Sequence, residues 1–221
     1  VLVIRYLSSA SLDTSDCEGA SPVATFDATR AVLSGQSLGA HVGAIAAGIA
    51  PVLAGAIFTG GGGSFLHAVE STVPLDLGAL VRLLLGFPAG EALDPVHPVL
   101  TLYQWAVEPA DVPGYARRFA ERGRHALFLS GAGDRYFSRR AQDALTFAIG
   151  ADVAPEDPFA SSMRTLLEAG GRSLATYPVR ANASGATRLT VRYPEHPRFN
   201  NNHYTAFSYE GGLRQREAFL R

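Results

Sequence analysis

Residues Gly35-Gln36-Ser37-Leu38-Gly39 set a serine between two glycines, directly after the short apolar run Ala31–Ser34. A serine at a sharp strand-to-helix turn takes a strained backbone conformation that lifts its hydroxyl clear of the sheet. Small residues two places before and after it, Gly35 and Gly39, let strand and helix approach closely. The segment that follows, Leu38–Ala50, is rich in glycine and alanine and ends just before Pro51. That much glycine would be unfavourable in an exposed helix, so the segment reads as a helix packed tightly against a sheet. Its first turn aims amide groups and a positive dipole end at the hydroxyl, which makes the Leu38 N–H an oxyanion donor. Without that chemistry, the same residues are a simple strand–helix turn.

A serine is a weak nucleophile unless a base takes its proton and a carboxylate orients the base. In proteins that use such an elbow, the chain order is serine, acid, histidine. Asp134 follows a strand, His125–Ser130, in the turn Gly131-Ala132-Gly133-Asp134. Its place after a strand favours the acid role, with a turn or cap residue as the alternative. Six histidines compete for the base. His41 lies on the elbow helix, where it is expected to pack. His125 opens a strand, and His67 and His97 belong to a long middle insertion. His203 follows Asn200-Asn201-Asn202 and precedes Tyr204-Thr205-Ala206-Phe207, in a late loop before a final helix. It is the candidate base, with His196, between Pro194 and Pro197, as the runner-up.

Four segments rich in β-branched or aromatic residues read as buried strands: Ala31–Ser34, Leu53–Thr59, His125–Ser130 and Thr187–Tyr193. Helical spacing marks Leu38–Ala50, Leu77–Leu85, Val99–Val107, Tyr115–Arg122, Arg139–Phe147, Ser161–Ala169 and Gly212–Leu220. Strands alternating with helices imply a parallel sheet with helices on its faces. Val1–Leu7 reads either as a strand or as the tail of a helix. Ser8–Asp27 and the stretch 150–157 read as loops, and an excursion around Ala151–Ala186 accounts for the long path from Asp134 to His203.

Residues 64–120 exceed what a simple crossover needs. Their apolar residues, among them Phe65, Leu80, Leu83, Leu84, Leu100, Trp105 and Tyr115, are expected to build a helical cap and a hydrophobic pocket for an acyl chain. The alternative is helices packed for stability alone. Gly60-Gly61-Gly62-Gly63 lets backbone approach a substrate or bend without strain. No Lys-Ser/Thr follows it, so it is not a phosphate loop.

The 221 residues suit one domain. A net charge of −1 suggests neither a nucleic-acid partner nor binding to an anionic surface. All 19 basic residues are arginine, which excludes lysine-based chemistry. Cys17 is the single cysteine, so an internal disulfide is excluded. It reads as a free surface thiol or as one half of a bond to another chain in an oxidising compartment. No apolar run is long enough to span a membrane. The chain opens on valine inside an apolar run without a signal-peptide pattern, and is expected to be a fragment. A single cysteine also excludes a cysteine-rich metal site.

The elbow, the glycine run, His97-Pro98-Val99-Leu100-Thr101-Leu102 with Trp105, Glu108-Pro109-Ala110-Asp111 with Tyr115-Ala116-Arg117, and the late His203-Tyr204-x-x-Phe207 occur here together. In this the chain resembles the α/β-hydrolase domain of large bacterial surface or secreted lipoproteins related to virulence-factor lipases. The resemblance implies an α/β-hydrolase fold, N-terminally incomplete and carrying a helical cap, in a secreted or envelope-anchored protein. It implies hydrolysis of acyl or lipid esters without a cofactor, and carries Ser37, Asp134 and His203 over to nucleophile, acid and base. It also implies a helix before the elbow strand, hence a helical Val1–Leu7. The earlier strands and the loop for a second oxyanion amide have no counterpart in these residues. Two other readings keep the same fold: a non-catalytic surface-binding module, and a peptidase or thioesterase.

Overall fold

The computed structural model describes residues 2–71, 73, 76–88, 96–196 and 202–221. Helix α1 (Leu2–Ser9) leads into a small antiparallel hairpin, β1 (Ser11–Asp13) and β2 (Val23–Thr25). The elbow strand β3 (Val32–Gln36), helix α2 (Leu38–Ile49) and strand β4 (Gly55–Thr59) follow. Helices α3 (Phe65–Ala68), α4 (Leu77–Leu85), α5 (Pro98–Val107) and α6 (Val112–Glu121) then lead to β5 (His125–Gly131). The remainder is α7 (Arg139–Ala148), β6 (Asp152–Val153), α8 (Ala160–Ala169), β7 (Arg188–Tyr193), α9 (Thr205–Ser208) and α10 (Glu210–Leu220).

The five strands β3 to β7 form one parallel sheet in the order β3-β4-β5-β7-β6. Its register pairs Gln36 with Thr59, Thr59 with Leu129, and Gly131 with Tyr193. Parallel strands in this register end along one line, so the loops leaving β3, β4, β5 and β7 all emerge on the same rim. That rim carries Ser37, the glycine run, Asp134 and His203.

Side chains alternate across the sheet, as the two-residue period of a strand requires. Ala56, Phe58, Ala126 and Phe128 pack with α2, α6 and α7, while Ile57, Leu127, Leu129 and Val191 pack with Ala206 and Phe219 on the other face. Phe58 and Phe119 meet edge to face at 6.4 Å. Each fully buried aromatic or leucine contributes roughly 1.5–3 kcal/mol, which is why the central strands are nearly continuous in apolar residues.

The four expected strands are all present, with ends shifted by one or two residues. Strand β6 and the β1–β2 hairpin are additions. The hairpin interrupts the segment read as a loop, Ser8–Asp27, and β6 is too short to carry a hydrophobic period. The first segment is helical over Leu2–Ser9. Helix α6 starts at Val112, ahead of the expected Tyr115, because Asp111 caps it and Pro113 sits in the first turn, where no N–H is lost.

Helix α6 closes the segment read as an insertion, residues 64–120. It packs lengthwise on α2, so close that a Cβ at Gly48 would collide with the Tyr115 carbonyl and lie 2.7 Å from its Cβ. Residues 112–121 therefore flank the sheet as an ordinary crossover helix. Gly48→Ala is expected to destabilise the fold by about 1–3 kcal/mol through overpacking, although alanine is the better helix former by about 1 kcal/mol. Urea unfolding followed by circular dichroism measures this, and an unchanged midpoint would contradict the close approach.

Candidate active site

Ser37 occupies the turn between β3 and α2 with φ 56° and ψ −123°, a conformation rarely tolerated by a residue with a side chain. Backbone bonds hold it there. The Ser37 N–H donates to the Thr59 carbonyl at 2.9 Å, and the Ser37 carbonyl accepts from Ala40 and His41 at 2.9 and 3.2 Å. The Thr59 hydroxyl donates to the Gly35 carbonyl at 3.0 Å. A Cβ at Gly35 would collide with the Gly39 carbonyl and lie 2.9 Å from the Ala40 nitrogen. The steric requirement at the preceding glycine is therefore real. Gly39 lies exposed in the first turn of α2, where an added Cβ meets nothing within 4 Å, so no steric requirement for glycine is visible there. Ser37 is half-buried and makes no capping bond to α2. Among the described residues the Leu38 amide donates to no protein acceptor, and stands free at the helix start.

Asp134 uses its two carboxylate oxygens differently. Its Oδ1 accepts from the Tyr136 and Phe137 amides at 2.8 and 3.2 Å, closing the turn after β5. Its Oδ2 lies 2.9 Å from His203 Nδ1. Both side chains are buried, His203 at 1% exposure. A carboxylate oxygen accepts, so the hydrogen of this bond sits on Nδ1, and in the neutral ring Nε2 is then the acceptor. The imidazole packs against Tyr136 at 4.3 Å and Phe137 at 6.0 Å. Those two rings, with Ser37, line a single cavity. The His203 carbonyl accepts from Gln36 Nε2 at 3.0 Å, so the His203 loop touches the residue before the serine.

The other histidines have different work. His196 lies edge-on to Tyr209 and its amide donates to Asn202 Oδ1. His97 caps α5 by accepting from the Val99 amide, and His125 accepts from the Thr187 amide. His41 packs on Phe65 at 5.0 Å, as expected of a residue on the elbow helix. Asn200 and Asn201, part of the loop from which His203 was singled out, lie outside the described residues.

Several supporting residues escaped the sequence reading. Gln142, on α7, donates from Nε2 to the carbonyls of Gly131 and Phe137, both at 3.1 Å, and so clamps the two ends of the Asp134 turn. Its Oε1 accepts from Arg192 Nε at 2.7 Å. Arg192, fully buried on β7, also donates to Asp143 at 2.7 Å and to Asp157 at 3.4 Å. The one available signal was a charge inside an otherwise buried strand, which demands a partner. Asp111 is similar: it accepts from the amides of Phe65 and Val112 and from Gln104 Nε2, while Gln104 Oε1 accepts from Ser64 Oγ. This buried cluster fastens the segment after the glycine run to α5 and α6.

The cavity beside Ser37 has a volume of about 300 Å³ and a mostly apolar lining from Leu38, Phe65, Ala68, Val73, Leu77, Phe137 and Ala141, with His41 and His67 among its walls. It lies within the size range of small-molecule sites. Among the described residues of the insertion, Ser64, Phe65, His67, Ala68, Ser71, Val73 and Leu77 line it. Leu83, Leu84 and Trp105, expected to line a pocket, are instead 79%, 72% and 74% exposed. The glycine run serves packing: Cβ atoms at Gly60, Gly61, Gly62 and Gly63 would lie 2.5–2.9 Å from Gln36, Ala40, Phe137 and Pro113 respectively.

The sequence matches no family model and no curated protein. No helix among the described residues is long and apolar enough to cross a membrane.

Two outcomes are expected. Gly35→Ala should destabilise the protein by about 1–3 kcal/mol while Gly39→Ala leaves it unchanged or slightly more stable, a contrast that thermal melts resolve. His41 is the second case. Burial holds its imidazole below the ordinary histidine pKa, with the Asp111 carboxylate opposing. The unfolded chain therefore takes up a proton near the ordinary value of 6.5 while the folded one stays neutral. The contribution is complete above that pH and lost as pH falls toward the folded value. His41→Asn should flatten the decline of the melting temperature between about pH 7 and 5.

Proposed function

We propose that the protein is a serine hydrolase of the α/β-hydrolase type that cleaves carboxylic esters, with an acyl or lipid chain, through an acyl-enzyme on Ser37. The observation that carries this reading is the strained Ser37 at the strand–helix turn, on the same rim as the Asp134–His203 pair. His203 Nε2 takes the Ser37 proton as Oγ attacks the ester carbonyl. The Nδ1–H bond to Asp134 stabilises the imidazolium that forms. The Leu38 amide donates to the oxyanion of the tetrahedral intermediate. Nε2 then protonates the departing alkoxide, and the acyl group remains on Oγ. Water attacks the acyl-enzyme with His203 again as base, releasing the acid and restoring Ser37.

The apolar cavity of about 300 Å³ beside Ser37 favours an acyl chain over a charged or heavily hydrogen-bonded group, since its walls would leave such a group unpaired. The family resemblance of the elbow, glycine run and late histidine points the same way.

A fluorophosphonate probe should label Ser37, and Ser37→Ala should abolish both labelling and hydrolysis of acyl esters. Asp134→Asn should lower kcat by roughly 10²–10⁴-fold through the wrong histidine tautomer. A folded protein that takes no label at Ser37 would overturn the proposal.

A further inference from the structure

We infer that Gln36 is the positioning residue that sets His203 against Ser37, an inference that rests on the serine-hydrolase reading of the site. Gln36 is the last residue of β3 and the immediate neighbour of Ser37. Its Nε2 donates to the His203 carbonyl at 3.0 Å across 167 residues of chain.

The joint has a third member. Gln36 is in register with Thr59, so Gly60 follows beside it. Gly60 has φ +50°, donates its N–H to the Leu129 carbonyl, and leaves a space into which both Gln36 Nε2 and the His203 carbonyl fit. A Cβ there would lie 2.5 Å from each of them. The loops of β3, β4 and β7 thus meet at one amide hydrogen.

What Asp134 and the aromatic rings provide is different. They fix the tautomer and the tilt of the imidazole, but all stand on the loop after β5. The bond from Gln36 ties the base directly to the strand that carries the serine. The amide also has a drawback: Gln36 Oε1 is buried and has no hydrogen-bond partner among the described residues. A methionine of equal length would avoid that unmet acceptor. Glutamine is therefore explained by its N–H rather than by its bulk.

Displacing a reacting group by about 1 Å lowers rates by as much as 10²-fold. Gln36→Met is expected to reduce kcat on a short-chain acyl ester by about 10–100-fold, with KM within twofold and the melting temperature within a few degrees of the parent. Gln36→Leu serves as a second apolar variant should Met fail to fold. A parallel measurement does not need turnover: the ¹⁵N and ¹H resonances of the His203 ring should shift or broaden in the variant. If the parent hydrolyses no ester, the functional reading falls, and the ring resonances alone decide the positioning role. A folded variant with unchanged kcat and unchanged His203 resonances would overturn the inference, as would a rate loss fully matched by a lowered melting temperature.

Discussion

Strand β3 and helix α2 meet at Gly35 with no space for a side chain, and this contact forces the chain through a positive φ at Ser37. A residue held in so sparsely populated a region carries roughly 1–3 kcal/mol of strain. The turn persists because its surroundings over-determine it. Its N–H and carbonyl are both bonded, Thr59 grips the Gly35 carbonyl, and the small residues of α2 bury against the sheet. The reward is positional: a hydroxyl presented at the sheet rim, beside a Leu38 amide without an acceptor among the described residues.

The rest of the rim is assembled by buried polar groups rather than by the apolar core. A strand end locates a loop only to within its own freedom, so each loop is pinned by a side chain from elsewhere. Gln142, itself held by Arg192 of β7, pins the Asp134 turn from α7, Asp111 and Gln104 pin the segment after the glycine run, and Gln36 pins the His203 loop. Such groups are hard to replace singly. Burial leaves any deserted partner without water, and a stranded buried charge costs several kcal/mol. Arg192 facing Asp143 and Asp157 is the extreme instance, since burial already pushes the Asp157 carboxyl above its usual range.

Cavity and packing divide the middle of the chain unevenly. Residues such as Phe65, Ala68, Val73 and Leu77 line the apolar space beside Ser37, whereas the leucines closing α4 and Trp105 on α5 face outward. Helix α6 belongs to the sheet's flank. Apolar composition alone does not separate these three fates, because a leucine in a helix is the same residue whether it lines a pocket, a core or a surface.

Local chemistry determined a good deal by itself. The period and composition of the chain sufficed for the four main strands, the parallel sheet and most of the helices, because buried strands and amphipathic helices announce themselves over five or ten neighbouring residues. The glycine–serine–glycine spacing marked the elbow for the same reason. Asp134 and His203 were legible as candidates only, through their places after strands. Their 2.9 Å approach, the open side at Gly39 and the struts from Gln36, Gln142 and Asp111 were decided by tertiary structure. Each of those depends on which atoms meet across tens or hundreds of residues. A contact of that kind is set by strand register and helix packing, and leaves no pattern in the residues on either side of it.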